Sequence, residues 1–406
     1  MSFQTGLSGL NAASRNLDVI GNNIANANTV GMKASRAEFA DLVAASLGAG
    51  GGNTDGIGVK VSTVSQQFTQ GNINITGNSL DVAINGGGFF ELTMPDGTSA
   101  YTRDGEFKLD KVGNIVTNGG AKVKGYPTDS TGAATSTTAA PLQLPTTAPI
   151  GAKQTTDMAA EFNLNASAEV WNDPLKTPDT PLTTYGTSLT VYDSQGVGIP
   201  TSFYLRKTAT DTWAMYTDPT SDATATATQV SILNFDVNGL LTSGSPASIP
   251  VTSPNATIGT FTISADIAKV TQYGAAFAVS NLTQNGYAPG ELTSIAIGKT
   301  GVVMATYSNG QSLAAGQLAL ADFRNVQGLS PIGGNNWVES FSSGQPIHGA
   351  PGTSKFGALT AGALEESNVD LTSELVNMMT AQRAYQANAQ TIKTQDQVLS
   401  TLVNLR

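Results

Sequence analysis

The chain contains no cysteine and a single histidine, His348. The first absence excludes disulfides, thiolate nucleophiles and cysteine metal sites. The second leaves one residue to serve any histidine-dependent triad or metal cluster. Charge is scarce too: Asp, Glu, Lys and Arg make up 12% of 406 residues, against the ~25% usual in soluble proteins. With 20 basic and 30 acidic residues the formal net charge is −10, which argues against a phosphate-binding surface. No run approaches the ~18 apolar residues needed to span a bilayer. Met1-Ser2-Phe3-Gln4-Thr5-Gly6 has neither a basic n-region nor a continuous apolar h-region, so it does not read as a secretory signal. A route out of the cytoplasm would leave no cleaved mark.

Catalytic signals are equally thin. His348 sits in the loop Gln345-Pro346-Ile347-His348-Gly349 and reads as structural or solvent-facing. Gly298-Lys299-Thr300 imitates half a phosphate loop, but position 293 is Thr where the first glycine belongs, and alternating strand residues follow. Asp104, Glu106, Asp110 and Asp236 fall in turn patterns, where carboxylates satisfy backbone donors. No catalytic, cofactor-binding or metal-binding residue is assigned, and no cofactor is expected.

What the chain does have is an apolar seam at each end. A position about every 3.5 residues from Leu371 gives Leu371, Leu375, Met378, Gln382, Tyr385, Ala389, Ile392, Asp396, Leu399, Val403 and Arg406, uninterrupted by Gly or Pro. Asp370 is placed to cap this helix, with Glu365, Glu366 and Glu374 near its positive end. It would run roughly 54 Å, longer than a compact domain needs. The stripe is narrow and flanked by Gln, Asn, Thr and Ala, the pattern of a helix that seeks partner helices. At the amino end Phe3, Gly6, Leu10, Ala13, Leu17, Ile20, Ile24 and Ala27 alternate spacings of three and four. Gly6, Gly9 and Gly21 each weaken an isolated helix by about 1 kcal/mol relative to Ala, a loss that close approach to another helix would have to offset. The subunit-assembly seam is therefore assigned to Phe3, Leu10, Leu17, Ile20, Ile24, Leu371, Leu375, Met378, Tyr385, Ile392, Leu399 and Val403. The two ends are expected to pack together and to gain order from identical neighbours. An intramolecular hairpin capping a domain is the plainer alternative.

Between the ends the period changes to two. Val59-Lys60-Val61 and Leu80-Asp81-Val82-Ala83-Ile84 predict half-buried strands, and Asp104-Gly105 predicts a tight hairpin between Tyr101–Arg103 and Glu106–Lys108. Leu109–Thr117 is echoed by Phe235–Thr242, one hairpin device used twice. Thr, Ser, Ala and Pro dominate from Pro127 to about Ala168, and a domain boundary is placed near Leu144. Beyond it Leu189–Tyr192, Ser202–Leu205 and Trp213–Tyr216 predict a second antiparallel domain, a barrel or sandwich, and strands resume at Leu292–Ile297 and Val302–Tyr307. Ser35 and Glu38 form a capping-box pattern that predicts a short helix from Arg36 to Leu47, followed by a glycine-rich loop, Gly48 to Gly58.

Three stretches resemble a known family. Leu17-Asp18-Val19-Ile20-Gly21-Asn22-Asn23-Ile24-Ala25-Asn26-Ala27-Asn28-Thr29-Val30-Gly31-Met32-Lys33 is similar to the amino-terminal motif of bacterial flagellar rod and hook proteins. Asn368-Val369-Asp370-Leu371, Glu374–Met379 and Ala381–Asn388 resemble its carboxyl-terminal motif, and Ser79–Phe90 with Tyr101–Gly105 a third. Length, the large central insert and the ending Thr391–Arg406 most resemble the hook members. The resemblance implies an extended connector after the first helix, in conflict with the local helix signal. It also implies that the return segment completes the inner sheet, and that extra length at Gly48–Gly58 goes with a straight, stiff tube.

The fold expected is α+β and multidomain, with long terminal helices forming a coiled-coil-like inner layer and two mainly antiparallel β domains. The division is a terminal helical domain (1–30 with 368–406), a connector (31–70 with 355–367), an inner β domain (71–144 with 285–354) and an outer β domain (145–284). The function expected is a non-enzymatic structural subunit of the flagellar hook: a homo-polymeric, curved, flexible tube with a central export channel, a universal joint passing torque from rod to filament. The resemblance implies type III export, an extracellular place on the flagellum, and partners in the rod, hook cap, hook–filament junction and hook-length-control proteins, with no nucleic acid and no membrane insertion. The rivals are a distal rod protein and a secreted glycan-binding β-protein with an aromatic face near Trp171, Trp213 or Trp337.

Overall fold

The computed structural model describes residues 2–43, 56–129, 131–145, 149–171, 184–217 and 229–404. Two long helices bracket the chain, α1 (Ser2–Ala25) and α2 (Leu371–Asn404). Asp370 caps α2 as its position predicts, its Oδ1 accepting the amides of Thr372 at 2.9 Å and Ser373 at 3.4 Å. α1 ends in a turn where Gly31 takes φ +70°, and a Cβ there would meet the Asp104 amide nitrogen at 2.5 Å. Only glycine fits both constraints.

The segment after that turn is a strand rather than the helix its capping box predicts. β1 (Ser35–Val43) pairs antiparallel with β2 (Gly56–Gln66). The capping groups are taken by tertiary partners instead: Asn23 Oδ1 accepts the Ser35 amide at 2.9 Å, and Glu38 accepts the Ser65 hydroxyl at 2.7 Å across the ladder. Of the glycine-rich loop, Gly56 and Gly58 open β2; residues 48–55 lie outside the described residues.

The chain forms two compact units. The first holds Met1–Thr147, Ser294–Thr306 and Ser312–Arg406; the second holds Ala148–Thr293 and Tyr307–Gln311. In the first, the main sheet interleaves both arms of the chain. Its strands Ser312–Leu318, Lys122–Tyr126, Phe89–Thr93, Ser99–Thr102, Asn336–Val338 and Ser330–Gly333 lie in that order. The return arm also supplies Ala358–Ala361 against Val82–Asn85 and Ala363–Glu365 against Ile73–Ile75. Phe68, Phe89, Tyr101, Phe323 and Trp337 meet edge-to-face under this sheet. The hairpin predicted at Asp104-Gly105 does not form. Ser99–Thr102 pairs with Phe89–Thr93 and Asn336–Val338, while Phe107–Leu109 pairs with Ile115–Thr117. Gly105 instead accepts the Val82 amide at 3.1 Å, so close that a Cβ on Gly105 would overlap the Val82 carbonyl.

In the second unit two five-stranded sheets share one core, in which Phe162, Leu164, Phe203, Leu205, Trp213, Ile249 and Ile263 are all buried. This is a sandwich. Trp213 Nε1 donates to Gln272 Oε1 at 3.0 Å, giving its indole the partner that burial demands. Asp157–Asn165 runs parallel to Thr260–Asp266 and Thr271–Tyr273, an exception to the antiparallel expectation.

The predicted echo is real and wider than two copies. Asp110, Asp129, Asp193 and Asp236 each accept the amides two and four residues on through Oδ1. Each is followed three residues later by a glycine of positive φ: Gly113, Gly132, Gly196 and Gly239. In these Asx turns the carboxylates lie below their ordinary range. The side chains of Asn114 and Thr131 act most at Asp110 and Asp129, and the Leu240 amide at Asp236. At Asp193 burial pushes the other way, and the Ser253 hydroxyl with the turn amides outweighs it.

One buried carboxylate fastens the arms of the first unit. Glu365, fully buried, accepts Lys33 Nζ at 2.5 Å, the Gly71 amide at 3.0 Å and Arg103 Nη1 at 3.0 Å. Its backbone carbonyl accepts the Gly31 amide at 2.8 Å. Burial lowers the Lys33 ammonium's pKa and the Glu365 carboxylate opposes that. Glu365→Gln would leave two buried cations without a counter-charge, so it is expected to cost about 3–5 kcal/mol, read as a lower denaturant midpoint with the slope unchanged.

Candidate functional site

The two ends of the chain meet as an antiparallel helix pair. Built Cβ atoms show how close they come: one on Gly6 would lie 3.1 Å from Ile392 Cγ1, and one on Gly9 would lie 2.9 Å from Asn388 Oδ1. The predicted compensation for Gly6 and Gly9 is therefore found within one chain. Gly21 has nothing within 4 Å. The small residues Ala12, Ala13 and Ala381 are buried; the seams include Ala13 but pass over Ala12 and Ala381, which fall one position off the spacing.

The assigned seam divides in two. Ile20 is buried, at 5% exposed, and Leu10, Leu17, Ile24, Met378 and Ile392 are half-buried. Phe3, Leu371, Leu375, Tyr385 and Leu399 remain exposed, Leu375 at 51% and Leu399 at 54%. The side chain of Val403 lies outside those described. Val376, Met379 and Val398, which the seam omitted, are exposed beside it at 49%, 53% and 49%. Pairing with α1 thus leaves most of the apolar stripe of α2 in water, along a helix whose charged residues are few.

Three asparagine side chains bond the root of the pair to the backbone around it. Asn23, 1% exposed, both accepts from the Ser35 amide and donates to the Ser35 carbonyl at 2.8 Å, as a strand neighbour would. Asn368 accepts the Ala34 amide at 2.7 Å and donates to the Gln67 carbonyl at 2.7 Å. Asn335 Nδ2 donates to the Val30 carbonyl at 2.7 Å. Two polar recesses flank this root, one of 590 Å³ beside Gly71, Asn72 and Asn368 and one of 470 Å³ beside Val30, Asp104 and Asn335. Burial pushes the Asp104 carboxyl up to about 6; the Glu106 amide opposes this, and the Glu106 and Asp81 carboxylates reinforce it.

The residues considered for chemistry have structural partners. His348 Nδ1 lies 3.0 Å from Glu91 Oε2, whose other oxygen accepts Lys124 Nζ at 2.9 Å. Gly298 O accepts the Gly301 amide at 2.9 Å, so Gly298-Lys299-Thr300 is a β-turn. Trp213 and Trp337 are 0% and 2% exposed, and Arg206 stacks over Trp171 at 4.4 Å. They do not form an aromatic binding face.

Four family models match in order along the chain. They are described as flagella basal body rod protein (residues 3–33), flagellar hook protein FlgE/F/G D1 domain (83–166), flagellar basal body protein FlaE D2 domain (163–287) and flagellar basal body rod FlgEFG protein C-terminal (360–405). The chain is 45% identical over 415 residues to the flagellar hook protein FlgE of Salmonella typhimurium, covering 100% of both. It is 44% identical over 417 residues to that of Escherichia coli strain K12, again covering 100% of both. The crystal structure of Helicobacter pylori flagellar hook protein FlgE2 shares its fold at a TM-score of 0.53 and 16% identity, covering 72% of this chain and 100% of that one.

Two expectations follow from the site. Gly9→Leu should force the helices apart and lower the helix content read by circular dichroism, whereas Gly21→Ala should stabilise α1 by about 1 kcal/mol. Asp104 is the case of a carboxyl whose folded pKa exceeds its unfolded value, so its contribution is most favourable below about pH 4 and is lost as pH rises to about 6. Asp104→Asn should therefore raise stability by about 1–2 kcal/mol at pH 7, with the gain shrinking towards pH 4 in thermal melts.

Proposed function

The chain belongs to the flagellar hook protein family, and from that premise we propose that the open stripe of α2 is where identical subunits meet in the hook. The observation that carries this reading is the exposure of Leu371, Leu375, Val376, Met379 and Leu399 after α1 has already packed against the same helix. Each such side chain contributes roughly 1.5–3 kcal/mol if a neighbour buries it fully. A narrow apolar seam on a helix longer than its partner is satisfied by more helices, and stacking copies supplies them without limit.

On this reading the terminal helices (1–30 with 368–406) form the inner wall of a tube around an export channel. A connector (31–70 with 355–367), an inner β domain (71–144 with 285–354) and an outer β domain (145–284) stand outside it. The weakly charged outer surfaces have few ion pairs to break as neighbours slide, which suits a flexible joint that passes torque from rod to filament. The subunit does no catalysis. It leaves the cell by the flagellar type III route, and it meets the rod, the hook cap, the junction proteins and the length-control protein during assembly.

Concentrated protein should form tubes visible by electron microscopy. Limited proteolysis should trim residues 1–30 and 370–406 in the monomer and spare them in the polymer. Leu375→Asp should leave the monomer's melting unchanged and raise the concentration needed for assembly about 100-fold, equivalent to about 2.7 kcal/mol. Tails that resist protease equally at low and high concentration would refute the seam.

A further inference from the structure

We propose that Phe341 is a second subunit contact, a fixed aromatic knob that seats on a neighbouring copy of this chain independently of the helical seam. The proposal rests on the hook-subunit reading above and names a contact made by the β-rich part of the first unit. Phe341 is fully exposed, at 105% of its reference area, while no other phenylalanine exceeds 45%.

The turn beneath it is built to keep the ring there. Ser340 Oγ donates to the Gly328 carbonyl and accepts the amides of Ser342 at 3.1 Å and Ser343 at 3.3 Å. Ser343 Oγ, on a residue 1% exposed, accepts the Ser340 amide and donates to the Ser340 carbonyl, both at 2.9 Å. Asn325 Nδ2 donates to the Ser342 carbonyl at 3.1 Å from the opposite side. A Cβ on Gly328 would lie 2.4 Å from the Ser343 amide nitrogen, so the two segments are in backbone contact. The ring is thus pointed outward by a loop whose ordering is complete before any partner arrives, which is the condition under which one aromatic can dominate an interface.

Three further observations select the partner. Arg324 and Glu339 are the only charged residues from Phe323 to Gly344 and offset each other, so two copies of a chain with net charge −10 meet there with little repulsion. One arginine, Arg324, falls short of the basic cluster that a lipid surface or a nucleic acid needs. The neighbouring edge strand Ser330–Gly333 is exposed at every position, but Pro331 has no N–H to give to an added strand. The contact is therefore made by side chains and not by extension of the sheet. A knob that seats on a different face of the next copy makes a heterologous contact, which repeats along a helical polymer.

The absence of cysteine makes the test clean, because Phe341→Cys introduces a unique thiol for an environment-sensitive fluorophore. The label should move to a dry environment on polymerisation, and Phe341→Asp should raise the assembly concentration about 10- to 100-fold with monomer melting unchanged. A photoreactive phenylalanine analogue at 341 should cross-link to a second copy of the chain. Wild-type assembly by Phe341→Asp, with a label that stays in water, overturns the knob while Leu375→Asp still blocks polymerisation. If wild-type protein forms no tubes at any concentration, the subunit reading falls instead, and the knob with it.

Discussion

The first unit depends on one buried carboxylate. Glu365 lies at the end of the return arm, six residues before α2, and receives Lys33 from just after α1, Gly71 from between the first strands and Arg103 from the main sheet. An ion buried this deeply is tolerated because both its oxygens accept from close donors and two cations face it, and removing one partner strands the others. That is why the two ends of a 406-residue chain leave the β-structure side by side. Asn23, Asn368 and Asn335 complete the root with neutral bonds, and the Gly31 turn seats against Asp104 where no side chain would fit.

From that root the helices emerge with a division of labour. Small residues mark the contact between them: Gly6 and Gly9 face Ile392 and Asn388. Large ones largely remain outside it, as Leu375, Met379 and Leu399 show. Had α1 buried the leucines of α2, the pair would be a self-contained hairpin with a polar exterior. Instead large apolar side chains of the pair stay in water, and this is the surface proposed above to be covered by copies of the chain.

Much of this was legible in the letters. The helix boundaries followed from the seams and from Asp370, the strands Leu292–Ile297 and Val302–Tyr307 from their alternation, and the paired Asp–Gly turns at Asp110 and Asp236 from an internal echo. Where reading failed, a distant partner had outbid a local preference. Ser35 and Glu38 carry a helix signal, yet Asn23 and Ser65 claim their polar groups and the segment becomes β1. Asp104-Gly105 carries a hairpin signal, yet Val82 occupies the backbone of Gly105 and each flanking strand pairs elsewhere. Phe341 carried no signal at all, since one phenylalanine among 14 looks the same whether the fold hides it or holds it out.

The sequence alone determined what repeats or acts at short range: helix periodicity, caps, turn chemistry, strand alternation and the poverty of charge. These depend on residues a few positions apart, whose geometry the backbone itself enforces. Only the tertiary structure decided which carboxylate binds the arms together, which glycines face another helix and which apolar side chains stay in water. Those outcomes depend on groups far apart in the chain, as between Gly6 and Ile392, and no local rule specifies which of many equivalent partners will arrive.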